Sequence, residues 1–402
     1  KNSGDSDIKI SDLKISGTNY DEFLIQNNFC KDKVLKKSEL CTLEVVFKPK
    51  SEGLKEAKLL KESDPKIEIP LSGEGYKTST PQTGNIYYVS NSGSDNNSGT
   101  REKPFKTVGF ASKKLKSGDT LIILNGEYIV SEYYEDMITP VSGSENKWIT
   151  IKGEDGTKPK IKGKNGVLSV IDISGKSYII IENLEISSLI DSPYSGGLRE
   201  GIEAGGSTGA VEGKISNIVL KDLIIHHTEE TGMNFCGNIK NIQIINTHIH
   251  HTGAAAISAP SAEGGRGWEN VLISSCIFEY AGLYSNGKER KSDWDRPDGI
   301  GFENSEGPVE IKNIISRFNF GDGIDSKSKN TYIHECTVAN NFGDGVKLWG
   351  GGSKVENTLV FGTGFMEKGE ETPWCLLVIE TENMNGDFEI INSTFFDDEN
   401  RA

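Results

Sequence analysis

Nowhere does this chain run 18 or more apolar residues, the length a helix needs to cross a bilayer, and its amino terminus shows no basic-then-apolar signal pattern. Membrane insertion is therefore not expected of it. Basic residues are also scarce, with 44 Lys and Arg against 59 Asp and Glu and a net charge of −15. Phosphate backbones need a basic face, so nucleic acid is excluded as a partner, while cation-assisted chemistry stays open. Six cysteines form no CxxC pair. No amphipathic helical stretch of 10 to 15 residues separates the strand-like segments, which disfavours a leucine-rich horseshoe or a TIM barrel. Glycine is plentiful at 46 of 402 residues, above the roughly 7% of average proteins, and points to many turns. A chain of this length holds either two domains or one large repeat array.

Two patterns meet near residue 80. Residues 1–76 hold short alternating segments such as "LEVVFKP" and "KIEIPLSG", which read as a small β-sandwich. The stretch "KTSTPQTGN" at 77–85 has linker composition, and from residue 86 onward a different pattern begins. There, β-branched runs recur between turn letters, among them "SYIIIENLEIS", "ISNIVLKDLIIHHT", "VEIKNIISRFNFGDG" and "NTYIHECTVANNFGDG". The spacings are 24 residues from His226 to His250, 24 from Asp298 to Asp322 and 22 from Asp322 to Asp344, each suited to one coil of a solenoid. The expected class is all-β: a parallel β-helix over 86–402, preceded by the sandwich. "PFKTVGFASKKLKSGDTLIIL" reads as a short capping helix followed by a first strand.

Aligning the coils puts Ile202, Met233, Ile257, Ile300, Ile324 and Val346 in one apolar column. Strand alternation turns the next position outward and gives the column Glu203, Asn234, Ser258, Gly301, Asp325 and Lys347. Asp298, Asp322 and Asp325 then meet on adjacent coils with Asp344 one coil further, an oxygen-rich cluster suited to Ca²⁺. Lys347 follows Asp325 on the same face, where a cation held by the aspartates would depress its pKa. A lysine base needs a fall of about 3 units from ~10.4, on the order of 4 kcal/mol. Asp-Gly is also a favoured turn dipeptide, and for Asp344 that is the simpler account. Cys236, Cys276, Cys336 and Cys375 read as buried apolar fillers. His226, His227, His250 and His251 read as stacked, solvent-facing histidines rather than a transition-metal site. Trp268, Trp294, Trp349 and Trp374 are either sugar platforms or packing, with Trp349 the best placed for substrate.

Two resemblances add to this reading. Through "FCKDKVLKKSELCTLEVVFKPKSEG" and "IPLSGEGY", the first segment resembles bacterial immunoglobulin-like modules of the ASPM/SPD-2/Hydin-related kind. This implies a module lacking its first strand and a disulfide between Cys30 and Cys41, in keeping with an oxidising exterior. Through "DRPDGIGFE", "NFGDGIDSKS" and "NFGDGVKLWGG", the second resembles the right-handed parallel β-helix polysaccharide lyases, most closely family nine, the pectate lyase type. The resemblance implies Asp298, Asp322 and Asp325 as Ca²⁺ ligands and Lys347 as the base that removes the C5 proton of a uronic acid. Gly321 stands where the family has a further Asp, for which Asp344, Glu303 or water are the substitutes. Arg296 is a candidate contact for a sugar carboxylate. The chain thus reads as an extracellular or cell-surface Ca²⁺-dependent lyase of an acidic polysaccharide. Alternatively it is a non-catalytic surface β-helix: an adhesin, a carbohydrate-binding protein, or a self-assembling filament subunit.

Overall fold

The computed structural model describes the chain apart from residues 1, 3, 5, 12, 27, 38, 52, 62–65, 76–83, 191–195, 206–214, 260–266, 284–296, 365–373, 381–385 and 398–402. It divides into two compact units, Lys1–Thr80 and Pro81–Ala402.

The first unit is built from antiparallel pairs. Leu13–Ser16, Gly53–Lys61 and Ile67–Gly75 form a three-stranded sheet. Phe23–Gln26 pairs with Glu44–Phe47, and Ile8–Lys9 with Val34–Leu35. Phe23 and Phe47 pack at a ring separation of 4.7 Å. Ile10, Cys30 and Leu35 form a small core with Cys41 packed against it, and Cys30 and Cys41 are joined as a disulfide. Paired antiparallel sheets over such a core agree with a small sandwich; kinship to immunoglobulin-like modules stays a resemblance.

The second unit is a right-handed parallel β-helix. Three long parallel sheets of 11, 10 and 8 strands run its length, each strand pairing with its equivalent one coil away. One coil comprises Thr331–His334, Thr337–Ala339 and Val346–Leu348. The apolar column falls as the sequence spacing requires. Ile202 pairs with Met233, Met233 with Ile257, Ile257 with Ile300, Ile300 with Ile324 and Ile324 with Val346, and all six are fully buried. A fully buried Ile, Val or Met contributes roughly 1.5–3 kcal/mol, so this single column is a large part of what fixes the register.

The sheet also begins earlier than the sequence suggested. Ile86–Val89 precedes the helix Val108–Lys114 and pairs with Thr120–Ile123, so the helix covers an existing two-stranded start. Val108 and Ala111 enter the core. Gly109 has no room for a side chain, since a Cβ there would lie 2.5 Å from the Asp136 carbonyl carbon.

One corner adopts left-handed backbone in successive coils, at His227, His251, Tyr280 and Phe318, with φ between 54° and 58°. Non-glycine residues pay for this conformation, and here their rings stack at 5.4, 4.7 and 5.4 Å down the ladder. Beside it His226 lies on His250 with ring centroids 4.9 Å apart. These histidines are half-buried rather than solvent-facing, because the stack itself covers their faces. Cys276 and Cys336 are buried, but Cys236 is half-buried and Cys375 exposed. Cys375 precedes the half-buried strand Leu377–Ile379. Trp268 is fully buried between Phe235 and Phe302, which makes it packing, and Trp294 lies outside the described residues.

Candidate active site

Each coil turns into the third sheet through the same local sequence: Asp298-Gly299-Ile300-Gly301, Asp322-Gly323-Ile324-Asp325 and Asp344-Gly345-Val346-Lys347. The first Asp of each set has a structural duty. Asp298 Oδ1 accepts the N–H of Asp322 at 2.7 Å, Asp322 Oδ1 accepts that of Asp344 at 2.7 Å, and Asp344 Oδ1 accepts that of Cys375 at 2.7 Å. The aspartates form a ladder that holds successive corners together. Each keeps its second oxygen for other use.

Two of these aspartates, Asp298 and Asp322, make the site together with Asp325. Asp298, Asp322 and Asp325 offer carboxylate oxygens that all lie within 4.8 Å of one another. Gly301 makes this approach possible, because a Cβ at that position would stand 2.7 Å from Asp298 Oδ2. Three hard oxygen donors around a space that any side chain at 301 would fill fit a Ca²⁺ ion. Asp344 is not one of these three, and its remaining oxygen faces Lys347.

Lys347 is the Cα partner of Asp325 one coil on. Its Nζ sits 3.6 Å from Asp322 Oδ2 and 3.6 Å from Asp344 Oδ2. Burial lowers the affinity of the ammonium for its proton, but the carboxylates of Asp322, Asp325, Asp344 and Asp298 outweigh it and hold the pKa above the ordinary lysine value. The lowered pKa expected from sequence presupposed a bound cation; carboxylates alone reverse the direction. Burial raises all three acids of the triad. Asp298 is pushed well up by burial and then by Asp322 and Asp325, Asp322 is raised by burial, and Asp325 is raised to about 6 by burial and then by Asp322. Burial and mutual repulsion thus both disfavour ionising the three acids together.

Trp349 is present at the site, half-buried, and donates its indole N–H to Asp325 Oδ1 at 2.7 Å. Lys347 and Lys327 stand 5.4 and 5.7 Å from its ring centre. Glu303, considered as a replacement ligand, instead binds Lys327 at 2.6 Å. The sequence reading passed over Lys327, although it lies two residues beyond Asp325 on the same side of the strand. Arg296 lies outside the described residues.

Comparison with known proteins bears on the fold around this site. Residues 87–265 match the family described as "Pel9A-like, right handed beta helix region". That match ends before Asp298. The uncharacterized protein YwoF of Bacillus subtilis (strain 168) is 32% identical over 151 residues, 36% of this chain, and the chain spans 30% of that relative. Among solved structures, pectate lyase Pel9A superposes with a TM-score of 0.53 at 13% identity, covering 76% of this chain and 79% of the other. The lacto-N-biosidase of Eubacterium ramulus gives a TM-score of 0.46 at 14% identity, over 78% and 68% of the two chains. Over residues 87–265 the chain is therefore similar to the Pel9A-like β-helix region, and its right-handed parallel β-helix shares its fold with pectate lyase Pel9A.

Proposed function

We propose that this protein is an extracellular, Ca²⁺-dependent polysaccharide lyase that cleaves a pectate-like uronic-acid polymer by β-elimination, with Lys347 as the base. The observation that carries the reading is the placement of Lys347 directly beside Asp325, one coil on, next to a triad of carboxylates with converging oxygens. The Cys30–Cys41 disulfide is in keeping with an oxidising exterior.

Asp298, Asp322 and Asp325 would hold the ion. Bound there, Ca²⁺ supplies positive charge that offsets the triad and neutralises the carboxylate of a uronate residue. Lys347, as the free amine, takes the C5 proton, which is acidic because it lies α to that carboxylate. The electron pair of the C5–H bond becomes the C4–C5 double bond, the C4–O glycosidic bond breaks, and the departing oxygen takes a proton from solvent. Gly301 leaves the triad open on the face that Lys347 shares. Trp349 orients Asp325 through its indole N–H and offers the remaining ring surface to a sugar.

The test is to add polygalacturonate and a panel of other uronate polymers to the purified protein, with Ca²⁺ and with chelator, following the ultraviolet absorbance of the unsaturated product. The expected result is Ca²⁺-dependent product that Lys347→Ala abolishes. Silence on every polymer would overturn the reading. The aspartates would then have only their corner-bonding role, and the β-helix would be the scaffold of a surface protein that binds acidic polysaccharide or assembles with itself.

A further inference from the structure

The corner that builds the Asp triad recurs three coils earlier with longer acids. Glu200-Gly201-Ile202-Glu203 occupies the positions of Asp298-Gly299-Ile300-Gly301, as the pairing of Ile202 with Met233, Met233 with Ile257 and Ile257 with Ile300 requires. Glu203 is the column equivalent of Asp325, and Glu200 of Asp322.

This corner contains polar atoms without partners. Glu200 is 5% exposed, Glu203 2% and Ser169 0%. Glu200 Oε2, Glu203 Oε2 and Ser169 Oγ are each buried with no hydrogen-bond partner. Ser169 is the Cα partner of Glu200 one coil back, and Asn234 is that of Glu203 one coil on, so all four lie on three adjacent strands of the third sheet. Asn234 Nδ2 donates to Glu200 Oε1 at 2.9 Å and leaves Oε2 unused. The adjacent Arg199 is engaged in a two-pronged pair with Glu230 at 3.0 and 3.2 Å.

An ionised Oε2 at either glutamate lacks a donor, which leaves a buried polar atom unpaired at about 1–3 kcal/mol apiece. A cation satisfies several oxygens at once and compensates the charge. We propose that Ser169, Glu200 and Glu203, with Asn234 bracing Glu200, form a second cation site, built to hold one divalent, oxygen-seeking ion of the calcium class as a structural clamp between coils. The ligand set is two carboxylates and a hydroxyl, all hard donors. The site does not depend on the lyase reading, because it contains no group that meets substrate and stands five coils from Lys347.

The test is Ca²⁺ stoichiometry on the full chain after chelation, by isothermal titration calorimetry with CaCl₂ alone. Four proteins are compared: wild type, Glu203→Gln, the triad variant Asp298→Asn with Asp322→Asn, and all three substitutions together. Glutamine keeps the shape and removes the charge, and circular dichroism checks that each variant is folded. Glu203→Gln is expected to lose one ion per chain relative to wild type, whatever the triad does, and the combined variant to bind none. Ser169→Ala, which changes no charge, is expected to weaken the same ion's affinity several-fold. Unchanged stoichiometry in Glu203→Gln, with unchanged affinity in Ser169→Ala, would mean that a trapped water fills the corner and would overturn the proposal.

Discussion

Asp322 has two separable duties, and paired substitutions pull them apart. Its Oδ1 accepts the Asp344 N–H at 2.7 Å, while its carboxylate belongs to the triad and its Oδ2 faces Lys347 at 3.6 Å. Asp322→Ala removes the acceptor and leaves a buried N–H unpaired, which costs about 1–3 kcal/mol. Asp322→Asn retains a carbonyl oxygen for that N–H while discarding the charge. Burial already raises the Asp322 pKa, so the charge is not stabilising when no cation is present. In chelator, Asp322→Asn should therefore melt at or above the wild-type temperature, and Asp322→Ala several degrees below it, given roughly 2–4 °C per kcal/mol for large domains. Added Ca²⁺ should raise the melting temperature of wild type but not of either variant, when all are made in a Glu203→Gln background that silences the other corner. Differential scanning calorimetry reads both effects. If the Ala and Asn variants melt together in chelator, the corner bond is not what Asp322 provides. If Ca²⁺ still raises the Asn variant as it does wild type, Asp322 is not a ligand.

Three further outcomes are expected. The histidine stack makes the fold acid-sensitive: burial, then the neighbouring imidazoles, lower His226 to about 4 and His250 to about 3. A base with its folded pKa lowered gives stability that is complete above the unfolded value near 6.5 and lost as pH falls toward the folded one, so each costs roughly 2 kcal/mol between pH 7 and pH 5. Urea midpoints should drop over that interval and drop less in His250→Gln; a flat profile in the wild type would contradict the burial argument. Trp349→Phe keeps the ring and removes the indole N–H from Asp325 Oδ1, so Ca²⁺ affinity should change while the melting temperature in chelator stays within about 2 °C, as titration calorimetry and melting together would reveal. Thiol labelling of the native protein should modify exposed Cys375 first and leave Cys276 and Cys336 protected, since burial pushes both up to about 12; mass spectrometry of the digest identifies the order.

The architecture of the second unit was legible in the sequence because a β-helix repeats one local rule. Alternation along each strand and a near-constant step per coil suffice to stack Ile300, Ile324 and Val346 inside and to place Asp325 beside Lys347 outside. The residues at the candidate site were readable for the same reason. What each one does there was not. The chain letters do not say that Asp298, Asp322 and Asp344 each commit one oxygen to the next corner's N–H, that Asp344 turns its other oxygen to Lys347, or that Glu303 is taken up by Lys327. Those choices are made by side-chain rotamers and by competition among neighbours on adjacent coils, which only the assembled fold brings together. The Glu200 corner shows the same division. Its place in the outward column follows from spacing, whereas its unpaired oxygens exist only once burial has removed the water that would have satisfied them.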